Sequence, residues 1–144
     1  HSPIGRPSSQ AEDHLAQLEK RQRKLNQFDY ENHWADIEGD GDTAVITWGS
    51  CTGPVREACA RARAAGIGVR MISLRLLVPM QTGKFNKAMK GVKRALVVEQ
   101  SHSQQFYRYI RAYFDLPSKV QVCAKPGPLP VRPAEIFEQL KKWS

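Results

Sequence analysis

No pair of cysteines stands in C-x-x-C spacing, and the three present, Cys51, Cys59 and Cys123, form an odd set. That excludes a disulfide framework, a zinc ribbon and an iron–sulfur cluster built by this chain alone. It implies a reducing, cytoplasmic setting. The four histidines show no metal-ligand spacing either, so no metal site is expected. No apolar run approaches the ~20 residues of a membrane-spanning helix. The opening HSPIGRPSSQ lacks the apolar core of a signal peptide, and its start on His rather than Met reads as a fragment or processed chain. Glycine-rich loops of the P-loop or dinucleotide type are missing.

What is present is an ordinary globular composition. The 144 residues, 41% hydrophobic and 25% charged, suit one domain able to bury a core without a metal or disulfide staple. The net charge of +8 is regional. Basic and acidic side chains balance over residues 1–32, whereas between Arg56 and Arg94 Glu57 is the only acid among ten Lys or Arg. Such a field favours an acidic partner, and Lys84, Lys87 and Lys90 are the natural surface for one. Base-stacking aromatics are nearly absent from that stretch, which argues against nucleic acid.

The first 32 residues read as a linker carrying an amphipathic connector helix. Ser9 and Glu12 have the form of a capping box, and Leu15, Leu18, Leu25 and Phe28 make a narrow seam that needs another surface. From residue 33 to 144 the pattern predicts an α/β domain. Two strands, 33–38 and 43–48, flank G-D-G-D, and a hairpin is the simplest reading. Then helix 53–65, strand 68–74, helix near 83–91, strand 94–99, helix 103–115, strand 120–124 and helix 133–143 alternate. This implies a three-layer α/β/α arrangement around a five-stranded, mainly parallel mixed sheet with 33–38 as the antiparallel edge. Helix 53–65 should bury Val55, Ala58, Cys59 and Ala62, and helix 103–115 should bury Phe106, Ile110, Tyr113 and Phe114.

Two segments stand where strands end. W-G-S-C-T-G-P passes from strand 43–48 into a helix, so Gly49, Ser50, Cys51, Thr52 and Gly53 could receive an anion at free amides. They could equally form a plain turn capped by Thr52. The same letters spell G-x-C-x-G, and a thiol hydrolase would use Cys51 as nucleophile with His102 as base. V-V-E-Q-S-H-S-Q-Q-F follows strand 94–99, and Glu99, Ser101, His102 and Gln105 share the first rim if the two strands are neighbours. Ser101 or Ser103 should cap the helix that follows. G-D-G at 39–41 is the start of a magnesium–diphosphate motif but lacks its following Asn, the next being Asn86.

HSPIGRPS, EKRQRKL, WGSCTGPVREA, VRMISLRLLVPM, LVVEQSHSQQF and PGPLPVRPAEI occur in the order found in alpha subunits of 2-oxoacid:ferredoxin oxidoreductases. The chain resembles that family, particularly the 2-oxoglutarate enzymes, over nearly its whole length. The R-L-L-V-P and V-V-E elements are also similar to the transketolase C-terminal domain. The resemblance implies a non-catalytic assembly domain of an alpha subunit. The whole enzyme would oxidatively decarboxylate a 2-oxoacid to an acyl-CoA and reduce ferredoxin. Thiamin diphosphate, Mg, an iron–sulfur cluster and coenzyme A are implied for the holoenzyme and none for this segment, which alone should be inactive. The implied partners are a beta subunit, preceding alpha-subunit domains and ferredoxin. Arg75, Leu77, Pro79, Glu99 and Gln105 match family positions. Gln104 departs from the pattern, since the family has Gly there, and its side chain should alter the helix start or a neighbouring contact.

Overall fold

The computed structural model describes residues 1–143. They fall into two compact units, His1–Glu31 and the remainder from Asn32. The first unit is a helix, α1 (Ala11–Gln27), with no buried residue; Leu15, Leu18, Leu25 and Phe28 are 45–65% exposed. The capping box is not formed. Gln10 is the N-cap, so Glu12 lies one position too early to reach back, and the Gln10 amide donates to Ser8 Oγ instead (3.2 Å).

The second unit contains five strands, β1 (Ala35–Glu38), β2 (Thr43–Trp48), β3 (Val69–Leu74), β4 (Arg94–Glu99) and β5 (Lys119–Ala124). Four helices connect or follow them: α2 (Thr52–Ala64), α3 (Thr82–Ala88), α4 (Gln105–Arg111) and α5 (Pro133–Lys141). The sheet order is β1-β3-β2-β4-β5, parallel except for β1, which is the antiparallel edge. Alternation along the strands divides the core into two layers. Val45, Met71, Leu96 and Val98 meet Val55, Ala58, Cys59 and Ala62 of α2 and Ile136 and Leu140 of α5. The intervening Ala44, Ile46, Ile72, Ala95 and Val97 are equally buried and face the other helical layer. There Phe85 of α3 stacks on Phe114 with ring centroids 3.8 Å apart.

The expected hairpin is absent, because β1 pairs with β3, not with β2. The connector G-D-G-D crosses the start of β3 and delivers the chain to its far side. A Cβ on Gly41 would stand 2.1 Å from the Gly68 carbonyl carbon, and one on Gly39 2.4 Å from the Val69 oxygen, so only glycine permits the crossing. β2, buried along most of its length, thereby gains parallel neighbours on both sides.

Helix α4 is also shorter than its sequence pattern. Ala112 and Tyr113 bond back only three residues before Pro117 blocks continuation, which leaves Tyr113 51% exposed instead of in the core.

Candidate functional site

Adjacent strands β2 and β4 feed helices on opposite faces of the sheet, α2 on one and α4 on the other. The loops leaving their carboxyl ends therefore diverge and open a crevice, the usual ligand or interface position of an open α/β sheet. The two expected segments, 49–53 and 99–105, do share this rim. Thr47 Oγ donates to the Val98 carbonyl at 2.8 Å, cross-linking β2 and β4 beneath it.

On the first side, Gly49–Cys51 form one turn of 3-10 helix that runs straight into α2, with Gly49 at φ +59°. Thr52 already lies inside the helix and does not cap it. Its hydroxyl shares a 2.7 Å hydrogen bond with Ser73 Oγ at the end of β3. Gly49, Ser50 and Gly53 are exposed, whereas Cys51 is only 4% exposed. Burial pushes the Cys51 thiol up, and Cys59, behind it in the core, is pushed up to about 12 for the same reason. Neither favours thiolate formation, and His102 stands exposed on the other loop with no hydrogen bond to Cys51. The thiol-hydrolase reading is therefore set aside.

On the second side, the strand period turns Glu99 toward α4. Among the described residues it is the only buried charged side chain, at 1% exposure. Its two carboxylate oxygens accept from the Phe106 amide (2.9 Å), the Tyr107 amide (3.0 Å) and Ser101 Oγ (2.6 Å). Ser101 in turn accepts from the Gln105 amide at 3.3 Å. An internal anion thus occupies the positive end of α4 and satisfies its first amides. The Lys125 amide, entering from β5, donates to the Glu99 carbonyl at 3.0 Å. Through these hydrogen bonds Glu99 ties together the end of β4, the loop at Ser101 and the start of α4.

Gln104, the N-cap of α4, sits in the left-handed region at φ +55°. This accounts for the departure noted in the sequence: a glycine adopts that conformation freely, and glutamine does so at a cost of about 1 kcal/mol. Gln104→Gly should raise the thermal midpoint by roughly 2 °C, measured by circular dichroism. An unchanged or lower midpoint would mean the glutamine side chain contributes a compensating contact.

The R-L-L-V-P segment is fixed from both sides. The amides of Arg75 and Leu76 donate to the Trp34 carbonyl, and Tyr109 Oη donates to the Leu77 carbonyl at 2.6 Å. Arg75 itself turns to Asp36 (3.5 Å) at the sheet edge and not into the crevice. Pro79 offers its carbonyl to Gln81 Nε2. Lys84 and Lys87 lie on α3 and Lys90 on the turn after it, where its carbonyl accepts from Arg70 at the start of β3, the end of the sheet away from the rim. The sequence reading missed Thr47, Ser73 and Tyr109, although Ser73 in the otherwise apolar end of V-R-M-I-S-L was a visible signal.

The loops at this end of the sheet also expose large apolar side chains. Trp48, the last residue of β2, is 43% exposed and stacks on Phe106 with ring centroids 5.8 Å apart. Val78 after β3 is 68% exposed, and Leu129 after β5 is 60% exposed.

Neither a diphosphate–metal nor a cluster site fits these residues. G-D-G lies at the opposite end of the strands from the crevice, closed against the β3 backbone. Among the described residues no group of His, Cys, Asp or Glu could hold a metal ion.

Residues 41–136 match the family described as pyruvate:ferredoxin oxidoreductase core domain II. The alpha subunit of 2-oxoacid:ferredoxin oxidoreductase 2 from Aeropyrum pernix is 28% identical over 99 residues, 65% of this chain and 15% of that protein. The structure is similar to 2-oxoglutarate:ferredoxin oxidoreductase from Magnetococcus marinus, solved with 2-oxoglutarate, coenzyme A and succinyl-CoA bound. There the TM-score is 0.75 at 28% identity, covering 99% of this chain and 25% of that one. A split-gene transketolase, an inactive beta4 tetramer, shares the fold at TM-score 0.59 and 12% identity, over 81% of this chain and 43% of its own. The chain thus spans 15% of the Aeropyrum pernix subunit and 25% of the Magnetococcus marinus chain.

Proposed function

Because the chain belongs to the pyruvate:ferredoxin oxidoreductase core domain II family, we propose that it is a non-catalytic assembly domain in the alpha subunit of a 2-oxoacid:ferredoxin oxidoreductase. Residues 33–144 form the domain and 1–32 the connector. The enzyme it serves oxidatively decarboxylates a 2-oxoacid, 2-oxoglutarate by the closest sense of the resemblance, to an acyl-CoA and passes the electrons to ferredoxin. By the resemblance, thiamin diphosphate and the iron–sulfur cluster are held by a companion beta subunit; among the described residues no group of three or more His, Cys, Asp or Glu could hold a metal ion.

The observation that carries this reading is the character of the rim. Exposed Trp48 ends β2, and exposed Val78 and Leu129 lie on the loops after β3 and β5, all at one end of the sheet. Beside them, the buried carboxylate of Glu99 is committed to holding loops. Apolar side chains fixed on a rigid frame suit a subunit contact. Ser50, just after Trp48, and His102, on the loop after β4, are exposed and form its polar border.

The test is co-expression with the companion subunit followed by size-exclusion chromatography. The unsubstituted chain should elute with the iron–sulfur absorbance. Val78→Asp with Leu129→Asp should weaken that association at least tenfold, or about 1.4 kcal/mol, with the thermal midpoint of the chain nearly unchanged. Co-elution unaffected by the double substitution would remove the rim from the interface.

A further inference from the structure

The basic excess of the chain is not spread evenly once folded. Arg56, Arg63 and Arg75 pair with Asp36 and Glu38, and Arg61 pairs with Glu57, so the β1–α2 side is largely neutralised. The amino-terminal end of the sheet differs. Two adjoining hollows of about 550 and 420 Å3 share Arg94, Ser118 and Lys119; Lys93 and Asp42 line one, Lys142 and Trp143 the other. Asp42 is the only acid in either lining, and Lys93 (3.2 Å) and Arg94 (3.7 Å) already engage it. Lys119 and Lys142 have no acidic partner among the described residues.

Two of these cations also face each other across the sheet. Arg94 and Lys119 stand opposite each other in the β4–β5 register, and in a parallel pair such residues point to the same face. Like charges so placed repel. Arg94 is held there by the Trp143 carbonyl, to which it donates.

We propose that this groove, formed by Lys93, Arg94, Lys119 and Lys142, docks an acidic segment of a protein partner. Its donors are side chains spread over two strands and the end of α5. The amides of Lys93 and Arg94 are both consumed by the Asp42 carbonyl, so no backbone cradle exists for a single phosphate. Several carboxylates along a peptide match such spacing. A single-stranded nucleic acid would find no stacking platform, since Trp143, the one aromatic in the linings, packs against the core. Lys84, Lys87 and Lys90, the acidic-partner surface expected from sequence, line neither hollow. The groove lies at the other end of the strands from the rim, roughly 20 Å away along six residues, so both surfaces can be occupied at once.

The probe is a fluorescein-labelled oligoglutamate peptide, titrated with the chain at low ionic strength and followed by anisotropy. Lys119→Glu with Lys142→Glu should weaken binding at least tenfold. Lys87→Glu with Lys90→Glu, which changes the net charge equally at two exposed residues that line neither hollow, should weaken it no more than about twofold. Equal losses in the two variants, or no loss in the first, would overturn the proposal. So would tighter binding of an oligothymidylate of matched charge, or full competition by millimolar inorganic phosphate. The readout is independent of Val78 and Leu129, so failure here leaves the rim interface untouched, and the reverse also holds.

Discussion

Glu99→Ala is expected to lower the stability of the chain by about 4 kcal/mol, because it strands the Phe106 and Tyr107 amides and the Ser101 hydroxyl around an emptied site. At this chain length that corresponds to a fall of roughly 10 °C in thermal midpoint, followed by circular dichroism. Glu99→Gln keeps the shape and one good acceptor but loses the charge at the helix start, and should cost about half as much. A loss under about 1 kcal/mol for the alanine variant would show that water replaces the carboxylate and that the loops do not depend on it. The distinction matters for function, since a proton-transferring carboxylate could be replaced without such a loss.

Gly41→Ala should be more damaging still, with Asp40→Ala as its contrast. The added methyl would meet the backbone of Gly68 and Val69 at 2.1–2.3 Å, where no side-chain rotation can relieve it. We expect a loss of more than about 3 kcal/mol, seen as a large drop in the urea midpoint or failure to fold. Asp40 is exposed, and what it contributes is its backbone carbonyl, which accepts from Arg70 at 3.0 Å and survives the substitution. Asp40→Ala should therefore change stability by no more than about 0.5 kcal/mol. A metal–diphosphate role for G-D-G would give the reverse order, with Asp40 essential and Gly41 tolerant.

These two cases also mark how far the sequence could be read. Strand β4, the small buried face of α2 and the antiparallel edge were legible because periodicity and residue size report burial directly. The partner of β1 was not, since alternation says which face is buried and nothing about which strand lies alongside. Two glycines around Asp40 fit a hairpin and a crossing equally well until the start of β3 is seen between them. At the candidate site, Glu99 and Ser101 were marked by their place at a strand end, but their use as an internal anchor for α4 needed geometry. Thr52 misled because a 3-10 turn moved the helix start past it. Gln104 was noticed only as a departure from a resembling family; its positive φ supplies the reason glycine suits that position.

A domain that assembles rather than catalyses accounts for these features together. The rim offers apolar contacts over a rigid frame, burial raises the pKa of the Cys51 and Cys59 thiols, and the buried Glu99 carboxylate accepts three hydrogen bonds that hold its neighbouring loops. The most direct test is 2-oxoglutarate-dependent reduction of a viologen dye, assayed with coenzyme A for the purified chain and for its assembly with the companion alpha and beta segments. The account predicts no turnover by the chain alone and turnover by the assembly, lost when Val78→Asp and Leu129→Asp break the contact. Dye reduction by the chain alone, or an assembly equally active without it, would contradict it.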